Sequence, residues 1–247
     1  TGNDYIRRVV LLGTPSLGSA LAVQNLITGM RVGLKRMPTE VLASFPSAYQ
    51  LLPHPLNVWL VKSDGEPLER DLFDVEIWRR FGFSIFSSEY RDKHVSSGSS
   101  IEDLNLMQRY FNKHIERGRR FVWSLTVPAP ELKVKPVVFG GDCHLTPARL
   151  LVEEVDGISH VRLYPSEILN PTAGVDYERI MLEPGDGTVT KASLLARPDL
   201  DPTIARHKYS YFPLKHSMFL CEKHGQLTGN INFQDNLMHT LLSADGV

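Results

Sequence analysis

Arg179-Ile180-Met181-Leu182-Glu183-Pro184-Gly185-Asp186-Gly187-Thr188-Val189 runs from a short apolar stretch into a tight acidic turn and out again. Glycine on both sides of Asp186 permits a positive φ or a close backbone approach that a Cβ forbids, so this carboxylate can be aimed rather than merely exposed. Asp186 is therefore read as a functional carboxylate. Thr188-Val189 restarts an ordered segment, and further on Met218-Phe219-Leu220-Cys221-Glu222-Lys223-His224-Gly225 is an apolar run that ends in a histidine followed by glycine. A strand, a carboxylate, another strand and then a histidine is a chain order that supplies the last two members of a Ser-His-Asp triad. Asp186 and His224 are the candidate catalytic residues.

Two further apolar runs frame this pair. Tyr5-Ile6-Arg7-Arg8-Val9-Val10-Leu11-Leu12 ends in continuous β-branched and apolar residues, as expected of a strand buried on both faces of a parallel sheet. Lys133-Val134-Lys135-Pro136-Val137-Val138-Phe139 leads into Gly140-Gly141 and reads as the return of the chain to that sheet. Val9 to Leu12, Val137 to Phe139 and Met218 to Leu220 are thus expected as neighbouring parallel strands of an α/β fold. The intervening residues 20–135 lose strand character and form a mostly helical, loop-rich insertion, far longer than a parallel crossover needs. That insertion is expected to be a cap or lid on a partial core made of residues 1–19 and 136–247.

The 247 residues, 42% of them hydrophobic, are enough for one sizeable domain and do not demand two. Lys and Arg number 27 against 28 Asp and Glu, so the chain has no global electrostatic footprint for a nucleic acid, and a small or neutral ligand is the better expectation. Two cysteines, Cys143 and Cys221, do not make a disulfide framework, and no apolar run approaches the ~18 residues of a membrane span.

Within the insertion, residues 45–53 carry large apolar side chains and Tyr49 between prolines; they either pack the insertion onto the sheet or line an acyl pocket, and packing is favoured. Ser100-Ile101-Glu102-Asp103 is a helix start, after which Leu104, Met107, Phe111 and Ile115 recur at helical spacing as one core-facing stripe. Lys113, His114, Arg117, Arg119 and Arg120 close that helix as a basic cluster. Such a cluster complements a helix C-terminus and suits anionic lipid headgroups, although a solvated face is the favoured reading. Val95-Ser96-Ser97-Gly98-Ser99-Ser100 is the most linker-like piece, and His160-Val161-Arg162-Leu163-Tyr164 alternates weakly like an additional strand.

Gly13-Thr14-Pro15-Ser16-Leu17-Gly18-Ser19 is a near miss for a phosphate-binding loop, since Ser19 stands where the lysine belongs; a structural turn is the favoured reading. Neither Ser16 nor Ser19, nor any other serine here, lies in G-x-S-x-G. Asp142 competes with Asp186, because it too follows a strand and glycines. Cys143-His144 and Cys221-x-x-His224 have zinc-ligand types, but adjacent residues on extended chain point to opposite faces, and the apolar neighbourhood of Cys221 suits a buried thiol. No metal or cofactor is expected. His207, His216 and His239 fit a catalytic role less well than His224. Asn232-Phe233-Gln234-Asp235 is read as the cap of a final helix, with Phe233, Leu237 and Leu241 on its buried face.

Five segments occur in one order: the Gly13 to Ser19 loop, Phe45-Pro46-Ser47-Ala48-Tyr49-Gln50-Leu51-Leu52-Pro53, Gly140-Gly141-Asp142-Cys143-His144-Leu145-Thr146-Pro147, Gly185-Asp186-Gly187-Thr188-Val189, and His224-Gly225. Together they resemble the C-terminal part of the lecithin:cholesterol acyltransferase family, which includes lysosomal phospholipase A2 and phospholipid:diacylglycerol acyltransferases. Each motif is short, and it is their joint order that carries the resemblance over nearly the whole chain. Leu145 stands where the family has the first proline of a P-T-P turn. The resemblance implies the C-terminal part of an α/β-hydrolase sheet with a large, mostly helical cap, a lipid or other acyl ester as substrate, and peripheral membrane contact. It also implies that the nucleophilic serine and the oxyanion donors belong to an N-terminal segment of the same fold, upstream of Thr1. The alternative is a non-catalytic lipid-binding or scaffold fragment.

Overall fold

A computed structural model describes residues 4–125, 134–196 and 214–243. Along the chain the strands are β1 (Val10–Leu12), β2 (Met30–Val32), β3 (Lys35–Met37), β4 (Leu60–Lys62), β5 (Val137–Gly141), β6 (His144–Pro147), β7 (Leu150–Val155), β8 (Ile158–Arg162), β9 (Leu182–Gly185) and β10 (His216–Leu220). The helices are α1 (Ala20–Thr28), α2 (Thr39–Leu42), α3 (Pro46–Gln50), α4 (Val75–Phe81), α5 (Ser88–Ser96), α6 (Ile101–Ser124), α7 (Tyr177–Met181), α8 (Lys191–Leu195) and α9 (Ile231–Leu242). This is a mixed α/β chain in two compact units. One comprises residues 1–16, 126–148 and 182–247, and the other residues 17–125 and 149–181.

In the first unit the three expected runs form one sheet in the order β1-β5-β10, parallel throughout, with Val10 opposite Val137 and Leu220 opposite Gly141. Strand alternation sends the side chains to two faces. Val137 and Phe139 cluster with Phe233, Val10, Leu12, Met218, Leu220 and Leu237, whereas Val138 clusters with Leu194, Val189, Leu11, Leu214 and Phe219. α9 thus covers one face through Phe233, whose ring stands edge-on to Phe139 at 5.2 Å, and α8 covers the other through Leu194. Both faces of β5 are shielded, which is why it reads as an unbroken apolar run. β1 was expected to be buried in the same way but is only half-buried, because it lies at the edge of the described sheet. β6 and β9 form a separate antiparallel ribbon, with His144 opposite Gly185.

α9 is capped by Asn230, whose Oδ1 accepts from the backbone N of Asn232 at 2.8 Å and of Phe233 at 3.2 Å; the cap therefore lies two residues before the expected one. Phe233 is buried, Leu237 half-buried and Leu241 exposed, so the apolar face is shorter than its spacing suggests. The guanidinium of Arg8 donates to the carbonyls of Leu241 and Ser243, placing a cation at the helix C-terminus.

The second unit holds the larger core. Trp78, Tyr49, Phe111, Leu52, Leu60, Leu72, Ile85 and Leu150 are almost fully buried, each contributing roughly 1.5–3 kcal/mol from burial of the side chain. Residues 45–53 pack within their own unit, against α6, and not onto the sheet as expected: Tyr49 lies edge-on to Phe111 at 5.2 Å, and its hydroxyl donates to the carbonyl of Ala43 at 2.7 Å. α6 begins at the expected capping box, with Asp103 N donating to Ser100 Oγ at 3.1 Å and Ser100 N to Asp103 Oδ2 at 3.0 Å. The helix does not close on the basic cluster. It runs on to Ser124, and the cluster is split: His114 is buried against Tyr110 at 4.1 Å, Arg119 pairs with Asp71 at 3.0 Å, and Arg120 with Glu116 at 3.0 Å.

This unit is not wholly helical. β4 joins β7 in parallel and β8 joins β7 antiparallel, so residues 149–181 pack with 17–125, and the weakly alternating segment is a strand over Ile158–Arg162. On β7 the buried Glu153 accepts from Arg162 Nε at 2.8 Å and from the backbone N of Leu169 and Asn170 at 2.9 and 2.6 Å. Burial alone pushes this carboxyl up; the Arg162 pairing and the two backbone donors overcome it and hold Glu153 below the usual range.

β2 and β3 form a hairpin with Gly33 at φ +59°, and its tip is unusual: Leu34 is 98% exposed and Val32 is 50% exposed, among exposed Arg31, Lys35 and Arg36. Arg31 lies directly opposite Arg36, an arrangement that is repulsive in a sheet, and Arg36 donates to the carbonyl of Thr28.

Candidate active site

The acidic turn forms because its two glycines answer two different needs. A Cβ on Gly185 would sit 2.4 Å from the carbonyl of Val189 and 2.6 Å from Thr146 Oγ1, so this position requires close approach. Gly187 has open space around it but sits at φ +86°, where an L side chain is strained. Between them Asp186 is buried, and its Oδ1 accepts from the backbone N of Thr188 at 3.0 Å and of Val189 at 2.8 Å. Thr146, also buried, accepts from Gly187 N at 2.8 Å and donates to the carbonyl of His144 at 3.0 Å, fastening the turn to β6.

The second carboxylate oxygen is left for His224. Asp186 Oδ2 lies 2.8 Å from His224 Nδ1, and the backbone N of His224 donates to the carbonyl of Asp186 at 2.9 Å. His224 opens the 3₁₀ turn His224–Gly229, which is anchored by buried Leu227, and its side chain is 39% exposed. Among the described residues nothing is hydrogen-bonded to Nε2. The hydrogen bond from the imidazole to Asp186, and then the carboxylate charge, hold His224 above the usual histidine pKa against partial burial, which pushes it down.

Gly13, read in the sequence as a structural turn, is part of this arrangement. It follows β1 at φ +57°, and a Cβ there would meet His224 Cε1 at 2.7 Å and Nδ1 at 2.8 Å. Gly13, Asp142 and His224 follow the C-terminal ends of β1, β5 and β10, the edge at which open parallel sheets place their sites.

Among the described residues none of the competing candidates joins this pair. Asp142 Oδ2 is bound by Lys191 Nζ at 2.6 Å, and that ammonium lies 4.4 Å from the centre of the Phe219 ring. His216 is exposed at the opposite end of β10, paired with Val137, and His239 lies in α9. His207 falls outside the described residues. Leu145, in the departure from P-T-P, is simply an exposed strand residue of β6.

Cys221 requires correction. It is not a buried thiol: it is exposed and bonded to Cys143, with a Cα–Cα distance of 5.2 Å. Neither sulfur is therefore a free thiolate, which removes the zinc pattern as well. The signal was present in the sequence, because Cys143 and Cys221 each follow closely on a run expected to be adjacent in one sheet. No group of three or more His, Cys, Asp or Glu suited to a metal ion occurs among the described residues. No protein-family model matches this chain, and no curated protein matches it significantly.

Proposed function

We propose that this chain is the C-terminal part of a serine-dependent acyl hydrolase or acyltransferase of the α/β-hydrolase type, acting on a lipid or other acyl ester. The observation that carries this is the Asp186 to His224 hydrogen bond at 2.8 Å, at the C-terminal edge of a parallel sheet, with no partner on Nε2 among the described residues. The five ordered motifs quoted above support the same reading.

In this mechanism Nδ1–H donates to Asp186, which fixes the tautomer and leaves Nε2 to accept a proton. A serine supplied from upstream attacks the ester carbonyl through Oγ and gives its proton to Nε2. The imidazolium, stabilised by the carboxylate, returns that proton to the departing alkoxide, leaving an acyl-serine. Water or an alcohol then gives a proton to Nε2 as it attacks the acyl carbonyl, the acyl–Oγ bond breaks and that proton returns to the serine; the choice of acceptor separates hydrolase from acyltransferase. Oxyanion donors come from the residue after the nucleophile and from an earlier loop.

The hairpin β2–β3 supports peripheral contact with an anionic lipid surface, because its fully exposed leucine sits among cations that an anionic surface would relieve of their mutual repulsion.

The test compares this chain with a longer protein carrying its upstream segment, using a chromogenic acyl ester and a serine-directed phosphonate. The longer protein is expected to hydrolyse the ester and to be labelled at an upstream serine. The 247-residue chain is expected to do neither, since loss of the nucleophile alone costs on the order of 10⁶ in turnover. Turnover by the shorter chain that His224→Ala abolishes and the phosphonate blocks would place the nucleophile within it and overturn the assignment of roles. Inactivity of both would favour the non-catalytic scaffold.

A further inference from the structure

The Cys143–Cys221 bond occupies a specific place in the connectivity of the site. Cys143 directly precedes β6, whose first residue His144 pairs with Gly185, the neighbour of Asp186. Cys221 directly follows β10, three residues before His224. The path from Cys143 through the β6–β9 ladder to Asp186, across the hydrogen bond to His224 and back to Cys221 is a closed ring, and the disulfide is its one covalent cross-link. Inside that ring the packing is tight. A Cβ on Gly141 would lie 2.8 Å from Asp186 Cβ and 2.3 Å from the carbonyl of Glu222.

Among the described residues, three other features hold the His224 segment on this side. Its backbone N reaches Asp186, Glu222 Oε1 accepts from Asn230 Nδ2 at 2.8 Å, and Leu227 is buried. The ladder between β5 and β10 ends at Gly141 and Leu220, so beyond it the disulfide continues the pairing that backbone hydrogen bonds no longer supply.

We propose that Cys143 and Cys221 are positioning residues, whose disulfide holds the His224 segment in register with the Asp186 turn, and that a small-molecule thiol or dithiol releases it. In the releasing step a thiolate attacks one exposed sulfur and the intramolecular S–S bond breaks. A second thiol resolves the mixed disulfide, so two electrons and two protons convert the bond to two cysteine thiols and the reductant is oxidised to its disulfide. The reduced chain keeps the β1-β5-β10 sheet, whose faces are covered by Phe233 and Leu194, and loses the constraint on the His224 segment. The consequence for acyl transfer rests on the triad reading above; the positioning itself does not.

The experiment therefore uses no substrate. The 247-residue chain, labelled at its histidines and backbone nitrogens, is followed by NMR before and after reduction with a dithiol, with free thiols counted at each stage. The expected result is no free thiol before and two after, a fall of the His224 titration midpoint toward the ordinary histidine value, and amide exchange at His224 faster by about tenfold or more. His54 and His114, in the other unit, keep their signals. The double variant Cys143→Ala/Cys221→Val is expected to reproduce the reduced chain without any reagent. An unchanged His224 midpoint and exchange rate in a fully reduced chain would overturn the proposal. So would simultaneous loss of the His54 and His114 signals, which would make the bond a general staple of the fold. A failure of the acyl-transfer reading would instead appear as an upstream segment with no labelled serine, and would leave these results untouched.

Discussion

Asp186 holds His224 at two points: the carbonyl accepts from the histidine backbone N at 2.9 Å, and Oδ2 lies 2.8 Å from Nδ1. The first contact fixes where the histidine begins its turn, and the second fixes the plane and tautomer of the ring. Because the remaining oxygen of the carboxylate is held by Thr188 and Val189, the aspartate cannot rotate away without breaking the turn itself.

Asp186→Asn should preserve the backbone contact and disrupt the other. An amide is neutral, so the imidazolium loses its counter-charge and the His224 titration midpoint falls. In the enzyme completed by its upstream segment, kcat for ester hydrolysis is expected to drop by about 10⁴. A midpoint unchanged from the parent would show that Asp186 does not govern the imidazole.

The pH dependence follows from the raised His224 pKa. General-base action needs the neutral ring, so ester hydrolysis by the complete enzyme should rise with pH through a midpoint above 6.5, the usual histidine value. Stability runs the other way. A pKa raised on folding means that the pairing contributes fully below 6.5 and is lost as pH rises through the folded-state value. Denaturant titrations of the parent and of His224→Ala between pH 5 and 9 should converge toward the alkaline end. The side chain is substantially exposed, so solvent screening keeps this contribution small.

Gly13→Ala places a methyl against the imidazole and forces an L residue to φ +57°. The backbone strain alone costs roughly 1–2 kcal/mol. Because the methyl would lie 2.7 Å from Cε1, the ring must move, so the variant should lower stability and the His224 midpoint together. Chemical denaturation and histidine NMR on one sample check both.

The hairpin tip should bind vesicles of anionic phospholipid and ignore neutral ones. Each cation near such a surface contributes about fivefold in affinity, so Arg31→Glu/Lys35→Glu should weaken co-sedimentation by well over tenfold. Leu34→Ser should weaken it independently of salt. Binding that persists in both variants would move the lipid contact elsewhere; binding to nucleic acid rather than vesicles would exclude a lipid surface as the partner.

The central strand was legible because burial on both faces writes itself into sequence as an unbroken apolar run. Val137, Val138 and Phe139 are apolar without interruption, as they must be when helices cover both faces of the sheet. The Asp186 and His224 contact was legible from the glycines around one residue and the strand before the other. Residues 149–181 were harder. β4 and β7 are short runs whose pairing joins segments far apart in sequence, and neither carries a local mark of its partner. Glu153 shows the same blindness at the level of one residue: a glutamate in a strand reads as solvent-facing until Arg162, Leu169 and Asn170 are seen to converge on it. The end of α6 was missed because its cations look like a terminus, while buried Val122 continues the apolar stripe beyond them.

The order β1-β5-β10 also sets a timetable for folding. Val10 must wait for Val137, and at synthesis rates of about 5–20 residues/s that delay is roughly 6 to 25 s. β10 arrives later still. Pairing across such distances makes loop closure the slow step, with apolar strand edges open in the meantime. The residues around His224 follow β10, and the two sulfurs can be oxidised to each other only once Cys221 has been made. Cys143 and Cys221 are the two cysteines of this sequence, so within it oxidation has one intramolecular product, and the competing product is a cross-link to another chain made while β1 and β5 still wait for β10.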